Sequence, residues 1–141
     1  MFRLVLDTDV MFAAFHSAGG ASRQLLLEVL DGKAELLVST TLMIEYEAVL
    51  TRPLNLEKFA IDVADVLEVL DEIAAICTPV AFSYRWRRSA GDADDDLVLE
   101  TAINGMADAI ASFNLADMVT GAAPFGIPVE RPIQTLKRLR T

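Results

Sequence analysis

The chain has 141 residues, 53% of them hydrophobic, and a formal net charge of -9. That length suits one domain burying roughly two thirds of its unfolded surface, so residues 1–141 read as a single domain. A lone cysteine, Cys77, and a lone histidine, His16, exclude an internal disulfide and a two-histidine metal site, and argue against cysteine zinc sites and a Ser-His-Asp triad.

The first segment, Arg3 to Leu6, is a short apolar run ending in Asp7, as a buried parallel strand would be. A short helix is expected through Met11 to Phe15, with Asp9 as one candidate for its N-cap, and Gly19-Gly20 breaks the chain after it. Ser22 is the expected N-cap of a second helix carrying Leu25, Leu26, Val29 and Leu30, and Gly32 its stop. Residues 35–38 read as a second strand. Ser39 or Thr40 would cap a helix running to about Leu50, with Pro53 closing that element.

A longer helix is predicted from Ile61 to Ala75, its acids Asp62, Asp65, Glu68, Asp71 and Glu72 facing solvent. Cys77 to Phe82 holds a third strand weakened by Pro79, and a polar loop runs from Ser83 to Asp94. Leu97 to Asn104 is helical and ends near Gly105; residues 109–111 form a fourth strand, a fifth lies near Pro128-Val129, and a final helix follows Pro132. Helices alternating with short apolar strands predict a three-layer α/β/α sandwich on a mainly parallel, five-stranded sheet. The longest nearly apolar run, 73–82, is interrupted by Thr78 and Pro79. It falls short of the roughly 18 residues a spanning helix needs. The N-terminus lacks the long apolar stretch of a signal peptide, so the expected location is cytoplasmic.

In a parallel sheet, ligands bind at the carboxyl ends of the strands. Four segments place acids there. Asp7 and Asp9 follow strand one, Glu45 lies one turn into the helix after strand two, Asp94 to Asp96 open the helix before strand four, and Asn114 and Asp117 follow that strand. Asp9, Asp94 to Asp96 and Asp117 have structural alternatives as a cap, first-turn acids and a turn residue, and Glu45 as an edge residue reaching water, whereas Asp7, directly ending a buried strand, has little structural reason to be there. The specificity lies in their order and spacing together. Clustered carboxylates repel one another and stay ionised only beside a cation. Oxygen-only ligands favour Mg²⁺ or Mn²⁺, and a metal so held activates water against a phosphodiester. The net charge of -9 argues against a polyanionic partner, but bound cations would cancel part of it. Arg85, Arg87 and Arg88 around Trp86 form one basic cluster, which we read either as solvated surface or as a contact for substrate phosphates.

These residues resemble the PIN-domain family of ribonucleases, which includes VapC-type toxins of toxin–antitoxin systems. LVLDTDVMFAA resembles the family's opening strand, VSTTLMIEYEAVLTRP its second acidic segment, and GDADDDLVLETAINGMADAIASFNLADM its third and fourth, with FGIPVERPIQTL as the last strand and helix. Asp95 and Asp96 match the branch with a doubled Asp, and SFNLAD places Ser112, Asn114 and Asp117 at polar positions of the fourth segment. The resemblance implies a PIN-like fold and Mg²⁺ or Mn²⁺ held by Asp7, Glu45, Asp95 and Asp117 as catalytic residues, with Asp9, Asp96, Asn114, Ser39 and Ser112 as additional site residues. It also implies cleavage of an RNA substrate, a homodimer, and a cognate antitoxin protein as partner. Phe12 and Phe15 are the expected exposed surface for such a dimer. Three departures stand out: Asp9 for the usual Asn, Ser112 for the usual Thr, and Ser89 to Ala93 in place of an Arg-Asp-Pro lead into the third acid.

Two other readings compete. Asp7-x-Asp9 followed by Gly91-Asp92-x-x-x-Asp96 is similar to haloacid-dehalogenase-type phosphatases, with Asp7 as nucleophile, Asp9 as acid/base and Ser39 as a phosphate-binding hydroxyl; the chain is short for that family and the reading leaves Glu45 and Asp117 without a role. The third reading is a PIN-like fold kept as a non-catalytic binding module.

Overall fold

A computed structural model describes residues 1–82 and 93–141, with side chains described again from residue 96. Five strands, β1 (Arg3–Leu6), β2 (Glu35–Ser39), β3 (Thr78–Val80), β4 (Ala109–Ala111) and β5 (Val129–Glu130), form one sheet in the order β3-β2-β1-β4-β5. Every pairing is parallel. Leu4 lies opposite both Leu36 and Ala109, and Leu6 opposite Ala111. β1 is thus central, which is why Leu4, Val5 and Leu6 are fully buried and read as an unbroken apolar run. Pro79 is tolerated because β3 is an edge strand.

The helices are α1 (Thr8–His16), α2 (Ala21–Leu30), α3 (Thr40–Leu50), α4 (Pro53–Phe59), α5 (Val63–Ile76), α6 (Ala93–Asn104), α7 (Leu115–Ala122) and α8 (Pro132–Leu139). The chain steps outward from β1 to β2 and β3, then returns through α6 to the other side of β1 and steps outward again to β5. Right-handed crossovers put the helices of these two halves on opposite faces, giving the three-layer α/β/α sandwich. α1 packs on α2, and α2 on α8; α6 packs on β1, β2 and α7. The strand order reverses between β1 and β4, so a crevice opens where those two strands end. At the opposite end, Arg3 donates to the Gly105 carbonyl and pairs with Glu35 at 2.9 Å, tying β1 to β2 and to the end of α6. A Cβ on Gly105 would stand 2.9 Å from Leu37 Cδ1 and 3.0 Å from the Thr101 carbonyl, so only glycine lets α6 close so tightly on β2.

The predicted strands all form, but several local expectations change. Gly20, not Ser22, is the N-cap of α2, and Ser22 sits inside its first turn at 3% exposure. Pro53 does not merely end α3; it opens α4 from the first turn, where its missing N–H costs nothing. α4 and α7 were not anticipated. The acids of α5 do face solvent, and Asp62 and Asp65 among them form a capping box. Phe15 is buried and Phe12 half-buried; both rings pack on Phe59 of α4, with centroids 5.6 and 5.1 Å away. They are therefore core, not a dimer surface. Among the described residues, no helix is long and apolar enough to cross a membrane.

Candidate active site at the β1/β4 switch point

Asp7 is the residue on which the crevice converges. Its backbone N–H donates to Ala111 at 2.9 Å, extending the β1/β4 ladder by one residue. Its side chain is 6% exposed and uses both oxygens: Oδ1 accepts from the Thr8 amide at 2.7 Å, and Oδ2 from the Ser112 hydroxyl at 2.5 Å. Asp7 is thus the N-cap of α1, a structural duty that the sequence reading assigned to Asp9 as an alternative. Asp9 lies in the first turn and reaches across the crevice instead, accepting from the Phe113 amide at 3.1 Å. The Ser112 oxygen, fully buried, accepts in turn from the Asn114 amide at 2.9 Å. Asp7, Asp9, Ser112 and Asn114 are therefore one hydrogen-bonded unit joining the ends of β1 and β4.

α3 carries the next acid. Ser39 ends β2 and caps α3, accepting from Leu42 N at 3.2 Å. Its hydroxyl donates to Thr101 Oγ1 at 2.7 Å, because the Thr101 proton goes to the Leu97 carbonyl. Both hydroxyl functions of Ser39 thus hold α3 and α6 together. Tyr46 is fully buried and donates its phenol to the Leu6 carbonyl, one residue before Asp7. Burial first, then the charge of Asp7 and that of Cys77, push the Tyr46 phenol well above its ordinary value of 10.0, so it stays a neutral donor. This bond presses the turn that carries Glu45, half-buried, against the end of β1. No sequence pattern flagged Tyr46; its signal was only that it shares a helical stripe with Leu42 and Leu50.

Asp96, 6% exposed, lies in the first turns of α6, and Asp117 is exposed in the first turn of α7, three residues after the N-cap Asn114. The Asp95 side chain, and Arg85, Arg87 and Arg88, lie outside the described residues. Among the described residues, no three His, Cys, Asp or Glu side chains stand together as a metal cluster. Among the described residues, the side chains brought together at the switch point offer carboxylate, hydroxyl and amide oxygens, with no imidazole or thiol. That chemistry fits a hard divalent cation and not zinc.

Comparison with known families agrees with this geometry. The PIN-domain profile matches residues 3–116, from the first residue of β1 into the first turn of α7. No curated protein matches the chain. The match spans the first three acidic segments and the start of the fourth, ending one residue before Asp117, and with the all-parallel sheet it means that the chain belongs to the PIN-domain family, whose members are generally nucleases.

Proposed function

We propose that the chain is a metal-dependent endoribonuclease that hydrolyses RNA phosphodiester bonds, with Asp7, Glu45, Asp95 and Asp117 as its catalytic and metal-holding acids. The observation that carries this is Asp7: a carboxylate 6% exposed, at the strand-order reversal, locked by a residue of β4's end as well as by its own helix. Burying a carboxylate is costly unless its charge is used. Mg²⁺ or Mn²⁺ at this place would supply Lewis acidity and a more acidic water. Ser112 fixes the Asp7 oxygen, and the Phe113 amide fixes Asp9. Ser39 ties α3 to α6, and Asp96 and Asn114 are further site residues at the starts of α6 and α7. The phosphatase alternative gains nothing here, since Ser39 spends its hydroxyl on α3 and α6.

The motif resemblance to VapC-type toxins supports a toxin role in a toxin–antitoxin pair, with a cognate antitoxin as partner. A homodimer is proposed on that resemblance alone, since Phe12 and Phe15 lie inward.

The test is cleavage of structured and single-stranded RNAs with Mg²⁺ or Mn²⁺ against EDTA, for the parent and for Asp7→Asn. Metal-dependent cutting that the variant loses supports the reading; cutting that survives EDTA or the substitution overturns it. One observation favours a second reading, a non-catalytic PIN-like module: the described acids do not close into a metal cluster. Calorimetric titration with Mn²⁺ decides. A parent that neither takes up Mn²⁺ nor cuts RNA is the binding module.

A further inference from the structure

A cleft of about 360 Å³ adjoins the acidic crevice on the β5 side. It lies between Ala13 of α1, the first turn of α2, Phe113, and the first turn of α8. The volume falls at the lower end of ligand pockets, roughly 300–1,000 Å³. Its lining is mostly apolar, and the one charged side chain among those residues is a cation, Arg131, in a chain of net charge -9. Arg131 is exposed at its rim, and among the described residues its guanidinium has no anionic partner. The adjacent acid, Glu130, is already taken: Arg138 pairs with it and Thr135 donates to it at 3.0 Å. Ser22 lines the same cleft at 3% exposure, and among the described residues its hydroxyl has no hydrogen-bond partner. Its oxygen is not among the sealed, unpartnered atoms of the described residues, so it opens onto the cleft and can donate to a ligand there. Ser22 also belongs to the first turn of α2, whose N-cap Gly20 offers no side-chain cap. The cleft therefore faces two helix N-termini, a guanidinium and a hydroxyl, all of which favour an anion. Phe113, 44% exposed, supplies an aromatic face beside them.

We propose that this cleft is a nucleotide subsite for single-stranded RNA, in which Ser22 and Arg131 take a backbone phosphate and the Phe113 ring stacks on the neighbouring base. The proposal rests on the nuclease reading above and extends it to substrate placement. The Phe113 amide is hydrogen-bonded to Asp9, so a base stacked on that ring would hold the adjoining phosphate beside the acids. The subsite does not select by base-edge contacts, because every base has a stackable face. It selects for unpaired RNA, whose bases can be splayed onto a side chain. The larger cleft, about 480 Å³ between α1, α2 and α5, is rimmed by Asp65, Glu68 and Glu72 and would repel the same ligand.

The experiment measures binding of a fluorescein-labelled oligouridylate of about ten nucleotides by anisotropy in EDTA, over a range of salt concentrations, so that binding is read apart from cutting. Phe113→Ala should weaken binding about tenfold with the salt slope unchanged. Arg131→Gln should lower the salt slope by roughly one phosphate contact, or about 0.7 for a single strand. Ser22→Ala should weaken binding without changing the slope. If all three bind as the parent does while Asp7→Asn loses cutting, the nuclease stands and the subsite is wrong. If the parent neither binds nor cuts RNA, both readings fall. Thermal melting of each variant within a few degrees of the parent confirms that the loss is not unfolding.

Discussion

Two pairs of aspartates stand at helix N-termini in this molecule, and they do different things. Asp62 and Asp65 open α5, and each accepts from the other's backbone, at 3.0 and 3.1 Å. Both are exposed, and these bonds reach only three residues along the chain. Asp7 and Asp9 open α1, but their partners Ser112 and Phe113 lie 105 and 104 residues away along the chain, at the end of another strand. The first pair satisfies the amides of its own helix. The second fixes where two strand ends stand relative to each other, and at 6% exposure Asp7 carries a charge that its own helix does not need buried. An acid at a helix start says little by itself. Its burial and the sequence distance to its partners separate a cap from a site.

The sharpest way to break the comparison is to neutralise one cap from each pair. Asp7→Asn should lower RNA cleavage by at least about 10²-fold, the scale of losing one preorganised charged group. The relief of repulsion expected from the sequence must now be set against the cap. An amide still accepts from Thr8 N, but its bonds are no longer charge-assisted, so metal-free stability should stay within about 1 kcal/mol of the parent. Asp62→Asn should leave cleavage unchanged, since Asn caps as well as Asp. Equal cleavage by both variants would erase the distinction between the pairs.

Next in size is the support beneath Asp7. Tyr46→Phe removes the phenol from the Leu6 carbonyl in a fully buried place. The expected loss is about 1–3 kcal/mol in urea unfolding, with little change in the slope against denaturant. A variant as stable as the parent would mean that the bond does not press α3 onto β1. Asp62→Ala comes below it, at about 0.5–2 kcal/mol from the lost cap, again with cleavage intact.

The frame of the site was legible because β1 is apolar from Leu4 to Leu6 and stops at an acid, and because β2 ends in Ser39, a capping residue followed by a helical stripe. What was not legible depended on distant partners. Asp9 looked like a cap because its true partner, the Phe113 amide, is a backbone group that any residue would supply. Phe12 and Phe15 looked exposed because the Phe59 ring that covers them sits on α4, a helix hidden behind the assumption that Pro53 only terminates. α7 was missed because it buries only Met118, Gly121 and Ala122, leaving too weak an apolar stripe to register. The capping box on α5 uses Asp where the usual pattern has Glu or Gln, so the acids read simply as a solvated face.

The smallest expected effect concerns Cys77, at the C-cap of α5, beyond the far end of the helix that Asp62 and Asp65 open. Burial is the main reason its thiol lies above the ordinary value of 9.0, with its own backbone N–H pulling the other way. A raised acid favours the neutral form in the fold. Its contribution to stability is therefore unchanged below the unfolded thiol's pKa and declines as pH rises from there through the folded value. Near pH 8 the folded protein should react with a disulfide reagent a few-fold more slowly than the same protein in denaturant, with the rate rising further at higher pH. Asp62→Ala, by loosening only the N-terminal turn of α5, should leave that rate where it is. A faster reaction in the variant would mean that the cap's effect runs the length of the helix, and the exposed pair would then be less local than its hydrogen bonds make it.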